Sequence, residues 1–267
     1  MKVEFTQARD ICNVVRKNFP YESPWYQCRV IHRELLSSCK DSLKTKDVLE
    51  INKIITEQNN TLENVRDSYQ PFFKNPFQYF KELISSVHKY KVQNCGELAR
   101  ITYAVSRMNG FKNSDLGMAH IIATEKRKHN FEKFNWKSFL EILMNDNCFF
   151  EDDEYYDCSV IDHVATQIQN RKGDNFIIDV LFNECRTNKE MEKLYASKYA
   201  ESLGIRENED IEIVNLDDFC SEMPILQNKD VKKLAELFPN LVLPENQGKL
   251  DKTSSYIISL INNFKKY

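Results

Sequence analysis

Several absences narrow the possibilities before any motif is considered. No apolar run approaches the roughly 18 residues that a membrane-spanning helix requires, so no membrane span is expected. The opening residues, Met1-Lys2-Val3-Glu4-Phe5-Thr6, lack the apolar core of a cleavable secretory signal, so synthesis in a cytosol is expected, with any export by a route that leaves no such mark. Glycine is scarce, six in 267 residues, and neither GxGxxG nor a P-loop occurs, which argues against a dinucleotide- or NTP-binding loop. Charge of one sign is also missing: 37 basic residues against 40 acidic ones give a net charge of -3, with no basic field for nucleic acid. The eight cysteines are spread along the chain without one CxxC pair, which fits neither a disulfide scaffold nor a zinc ribbon. No cofactor and no metal is therefore expected.

What is present reads as helices around a nucleus of strands. Phe5, Ile11, Val14 and Val15 form one apolar face, ended by Pro20. Further helices are expected over Trp25–Cys39, Thr45–Val65 and Pro76–Tyr90, then over Asn94–Met108 with Asn109-Gly110 as its stop signal. Leu116–Thr124 reads as a strand, Phe131–Asn145 as a helix, and Glu151–Asp157 as an acidic loop that could border a cleft. Ser159–Gln169 and Asn175–Phe182 are β-branched runs flanking a polar, glycine-containing turn, the signature of a hairpin. After Thr187 the pattern returns to helix, with one short strand at Ile211–Val214 and a last helix over Thr253–Phe264. The class is α+β. The expected division is a helical N-terminal region 1–75, a core 76–186 and a mainly helical C-terminal region 187–267 packed on that core.

The chemistry concentrates in Gln93-Asn94-Cys95-Gly96-Glu97. Asn94 followed three residues later by Glu97 has capping-box spacing, which makes Cys95 the first helical residue. A helix N-terminus carries unpaired N–H groups and partial positive charge, a setting that stabilises a thiolate and can receive the oxyanion of an attacked carbonyl. Gly96 leaves room beside the sulfur, and Gln93 is a candidate side-chain donor to the oxyanion.

A cysteine nucleophile needs a base, and the base needs an orienting partner. His163 lies inside an apolar strand, where an imidazole has no evident packing role. Asp179 is a lone carboxylate in Ile177-Ile178-Asp179-Val180, costly to bury unless paired. A hairpin centred on Arg171 sets the two side chains directly opposite, and the Gly173-Asp174 turn signal allows a slightly later centre. Asp162 is the substitute for Asp179 but points to the other strand face. His120 is the rival of His163 and lacks a carboxylate neighbour. Cys28 and His32 have metal-ligand spacing on a helix but no further ligands, and core packing explains them better.

Asn-Cys-Gly-Glu-Leu-Ala at a helix start, Asp-His-Val in a strand and Ile-Asp in the next resemble the transglutaminase-like branch of the papain-like superfamily. Within it, the pattern is similar to effector enzymes that pathogenic bacteria inject into host cells. The likeness spans roughly residues 75 to 185, and it departs from relatives that follow the aspartate with Pro-Trp, where this chain has Val180-Leu181. It implies a papain-like core in which Cys95 is the nucleophile, His163 the base and Asp179 its partner. It also implies production in a bacterial cytosol, delivery into a host cytoplasm and a host protein as substrate, with glutamine deamidation ahead of transglutamination. Proteolysis by the same triad and a non-catalytic, partner-binding effector remain open alternatives.

Overall fold

The computed structural model describes residues 2–21, 23, 45–123, 163–169, 175–198, 211–215 and 223–247. The helices expected over Trp25–Cys39, Phe131–Asn145 and Thr253–Phe264 lie outside these residues, as do the acidic stretch, Asp162, Cys28 and His32.

Helix α1 (Lys2–Asn18) buries Ala8, Ile11 and Val15, and Phe19 closes the stripe just before Pro20. Helix α2 (Thr45–Tyr69) runs one turn beyond Val65, because Leu62, Val65 and Tyr69 continue a buried i, i+3, i+7 face up to Pro71. Helix α3 (Pro76–Tyr90) starts where Asn75 accepts the Gln78 N–H and Pro76 takes the first helical position. Helix α4 (Cys95–Met108) follows, and Gly110 at φ 99° ends it in the left-handed region that glycine tolerates.

Strand β1 (Leu116–Ala123) opens the sheet, followed by β2 (His163–Gln169) and β3 (Asn175–Asp179). The strand expected to reach Phe182 stops at Asp179. Asn183 adopts φ 56° and its N–H donates to Val180 O, turning the chain back as β4 (Glu184–Thr187). Helix α5 (Asn188–Ser197) then begins at a Thr187–Glu190 capping box. Strand β5 (Ile211–Asn215) pairs with β1, and helix α6 (Asn228–Leu237) packs against α3 and α4. The sheet order is β4-β3-β2-β1-β5 and every pairing is antiparallel. The architecture is α+β.

Strand alternation splits the core in two. Ile168, Ile178 and Cys185 face the larger apolar cluster, shared with α1, α3, α4 and α6. Ala119, Ile121, Ala165 and Ile177 face a smaller one, closed by Met191 and Tyr195 of α5. Helix α1 packs on β3, β4 and α4, so the first twenty residues are part of the layer that carries Cys95.

Candidate active site

The site begins with the start of α4. Asn94 is extended (φ -118°, ψ 179°) and its N–H donates to Glu97 Oε2 at 3.1 Å, while its carbonyl accepts the Leu98 N–H. Cys95 is thereby the first helical residue, half-buried and in no disulfide. Glu97 is buried, and its other oxygen accepts from Tyr69 Oη at 3.1 Å and from Arg66 Nε at 3.2 Å. Desolvation would lower the pKa of Arg66, but Glu97 holds it above its ordinary value, so the guanidinium stays charged against the carboxylate. Burial and the nearby Glu97 push the Tyr69 phenol upward, which keeps it a neutral donor. Helix α2 thus grips the helix that begins at Cys95 through a buried carboxylate.

The residues before Cys95 serve as struts. Gln93 is fully buried, and its amide donates to Phe19 O at 2.9 Å and Tyr21 O at 2.8 Å. Both donor hydrogens are committed, so Gln93 ties down the chain leaving α1 and has no donor left for an oxyanion. Asn94 Oδ1 accepts from Ser23 Oγ at 2.6 Å. At Gly96, a Cβ would come within 2.9 Å of Arg100 Nη1. The space that the missing side chain leaves is taken by that guanidinium, which also hydrogen-bonds Tyr79, and is not a free slot beside the sulfur.

His163 is the first residue of β2 and Asp179 the last of β3; both are 2% exposed. Thr166 stands opposite Ile178 and Gln167 opposite Ile177. Continuing that register sets Asp179 across from Ala165, two residues from direct opposition to His163. The side chains still share a face, because an even displacement preserves alternation, and the diagonal neighbour is within reach of an imidazole. His163 Nε2 lies 2.6 Å from Asp179 Oδ2 with no bulge required.

Asp179 is itself held on three sides. Tyr195 Oη donates to Oδ2 at 2.6 Å, and the Phe182 N–H donates to Oδ1 at 3.3 Å from the turn that ends β3. The rings of Phe182 and Tyr195 flank the imidazole, with centroids 5.4 and 5.8 Å away. Burial alone would lower the pKa of His163. The charge and hydrogen bond of Asp179, with smaller contributions from Cys95, outweigh it and push the value up to about 10. The ring therefore carries a proton at neutral pH.

His163 is also hydrogen-bonded to Cys95. Since Nε2 is taken by Asp179, the nitrogen that meets the sulfur is Nδ1. Helix and strand are pinned side by side, with Thr166 Oγ1 donating to Ala99 O at 2.9 Å, one turn after Cys95. Cys95, His163 and Asp179 are thus brought together. His120, on β1 opposite Val164, does not enter this chain of contacts.

The other two described cysteines differ in kind. Cys12 lies beneath the Asp179 turn, 3.9 Å from Asp179 O and 3.6 Å from Glu184 O, and burial raises its pKa. Burial pushes the Cys185 thiol up to about 12. Among the described thiols, only that of Cys95 is both half-exposed and hydrogen-bonded to an imidazole.

Sequence reasoning missed Tyr195, Arg66, Tyr69 and Thr166. The i, i+4 pair Met191 and Tyr195 marks a buried helix face, yet nothing local says that the phenol ends on a carboxylate sixteen residues earlier. Among the described residues, no group of three His, Cys, Asp or Glu side chains is placed to hold a metal ion, and no helix is long and apolar enough to cross a membrane. The chain matches no family model, no curated protein and no solved structure.

Proposed function

We propose that this chain is a cysteine-dependent acyl-transfer enzyme acting on protein amides, built on a papain-like or transglutaminase-like core. The observation that carries the reading is the buried His163–Asp179 pair at 2.6 Å joined through the second ring nitrogen to a half-exposed thiol at a helix start.

In the reaction, His163 and Cys95 share the thiol proton as imidazolium and thiolate. The sulfur attacks an amide carbon, and its oxygen becomes an oxyanion near the unpaired N–H groups of the first turn of α4. The C–N bond breaks, the imidazolium proton goes to the departing nitrogen, and a thioester remains on Cys95. Neutral His163 then takes a proton from water, or from an amine, as that nucleophile attacks the thioester and the thiolate leaves. Asp179 keeps Nε2 protonated throughout, so that Nδ1 is the atom exchanging protons with the sulfur.

A glutamine side chain attacked by water gives deamidation, the outcome favoured by the resemblance to injected bacterial effectors. A lysine amine as acceptor gives transglutamination, and a peptide bond as substrate gives proteolysis. The same resemblance supports a host protein as substrate, met in the host cytoplasm.

Intact mass spectrometry of candidate partner proteins, incubated with wild type and with Cys95→Ala, separates these outcomes. Conversion of amide to acid means deamidation, joined chains mean transglutamination, and fragments mean proteolysis. Wild-type protein whose Cys95 reacts with iodoacetamide near pH 6.5 no faster than an unstructured thiol would overturn the catalytic reading in favour of a binding module.

A further inference from the structure

In the reaction proposed above the helix start receives the oxyanion, and the amide of Gln93, committed to Phe19 O and Tyr21 O, adds no second donor. The sheet face turned towards α4 carries another polar side chain. Thr166 faces α4, as its bond to Ala99 O shows, and Val164 is the next β2 position on the same face. One turn before Ala99, α4 presents Cys95, which meets His163 beside Val164. Directly across the ladder from Val164 stands His120 of β1, and opposed residues of an antiparallel pair share a face. His120 therefore lies on the α4 side of the sheet, in the strand next to the base and one residue from the position opposite it.

Its chemistry is unexplained by packing. The ring is half-buried, yet Nε2 is sealed from solvent and has no hydrogen-bond partner among the described residues. A buried polar nitrogen left unpaired costs about 1–3 kcal/mol, and such groups in native folds call for a reason. A half-exposed ring can reorient about its side-chain bonds on a fast timescale, so this nitrogen need not stay sealed when a substrate enters.

We propose that His120 is a second active-site histidine, donating an N–H hydrogen bond to the carbonyl oxygen of the amide as it becomes an oxyanion on Cys95. This rests on the acyl-transfer reading. His120 forms and breaks no covalent bond and exchanges no proton with the sulfur. Its role is to stabilise the charge from the α4 face of the sheet, while His163, on the face of β2 that carries Ala165, stays bonded to Asp179 and Cys95.

Two reagents separate this role from that of His163. Alkylation by iodoacetamide displaces iodide from carbon and generates no oxyanion. Acetylation by p-nitrophenyl acetate does generate one: the sulfur bonds to the carbonyl carbon, the C–O bond to the aryl group breaks, and p-nitrophenolate departs with the electron pair. Both rates are measured on the full chain by mass spectrometry of the Cys95 peptide. His120→Phe is expected to slow acetylation by about 10²–10³-fold, the loss typical of one oxyanion donor, while alkylation stays within about twofold. His120→Gln, which keeps an N–H donor, should recover most of the acetylation rate. His120→Val, a β-branched residue suited to a strand, is the second donor-free variant should phenylalanine not fold. Acetylation as fast as wild type in a donor-free variant, a parallel fall in both reactions, or a glutamine variant as slow as phenylalanine would overturn the proposal. Wild-type Cys95 inert to both reagents would instead sink the acyl-transfer reading itself.

Discussion

Replacing Asp179 by asparagine keeps the shape of the site and removes its charge. In the native site Oδ2 accepts from both His163 and Tyr195, and Oδ1 accepts the Phe182 N–H. Asparagine can satisfy only part of this. If its NH2 replaces Oδ2, it faces the ring as a donor, so Nε2 must become an acceptor and the proton moves to Nδ1, where it blocks proton uptake from Cys95. If NH2 replaces Oδ1, it meets the Phe182 N–H donor to donor. The ring also loses the carboxylate that holds its pKa at about 10, and burial unopposed pulls it to 6.5 or below. At about 1.4 kcal/mol per unit, a few kcal/mol of preference for the charged ring disappear. Alkylation of Cys95 by iodoacetamide at pH 6.5 should therefore fall by roughly 10²-fold or more. The wild-type rate should hold its imidazolium-dependent character up to pH about 10, and the variant should lose it at low pH. Stability carries the same signature. With a folded pKa near 10 and an unfolded one of 6.5, the native state binds the extra proton between those values. The contribution of His163 is thus complete below pH 6.5 and is lost as pH rises towards 10, a decline that Asp179→Asn should abolish in denaturant titrations. An Asp179→Asn protein with wild-type alkylation rates and an unmoved pH profile would refute this reasoning.

Two further perturbations probe the supports. Tyr195→Phe removes a donor from Asp179 Oδ2. It should cost about 1–3 kcal/mol of stability in denaturant unfolding. Because more of the carboxylate charge then falls on His163, the alkaline limb of Cys95 alkylation should move to higher pH; a downward move would contradict the shared-acceptor geometry. Glu97→Ala removes the acceptor of the Asn94 N–H and of Tyr69 and leaves Arg66 only Glu63, and should cost about 2–4 kcal/mol while also slowing Cys95 alkylation, whereas Glu97→Gln should lose less. An alanine variant as stable as wild type by thermal unfolding would mean that α2 does not hold helix α4.

Legibility in the sequence followed the range of the interactions. Helix α3 has the expected limits because Asn75 and Pro76 fix its start and the αL residue Lys91 its end, all local features. Helix α4 likewise follows from Asn94, Glu97 and Gly110. The pairing of His163 with Asp179 was readable because an apolar strand bearing one ionisable group advertises a cost that only a neighbour offsets. The observed register lies two residues from the one expected, since nothing in the turn sequence fixes a five-residue connection as it would a two-residue one. Strand β4 escaped notice because Glu184, Arg186 and Thr187 are polar and only Cys185 is buried. The uses of Gln93 and Gly96 were invisible for another reason: their partners, Phe19, Tyr21 and the Arg100 head group, are selected by tertiary packing.

The attachment of α1 has a practical side. Gln93 and Asn94 grip the chain at Phe19, Tyr21 and Ser23, and Cys12 fits under the turn that carries Asp179. A shortened protein beginning at residue 76 would contain every member of the triad but strand the buried amide of Gln93 without its acceptors. It would also open the floor where Ala8, Ile11 and Val15 now lie. Cys95, His163, Asp179 and the N-terminal helix are one mechanical unit, and anyone trimming this protein should cut elsewhere.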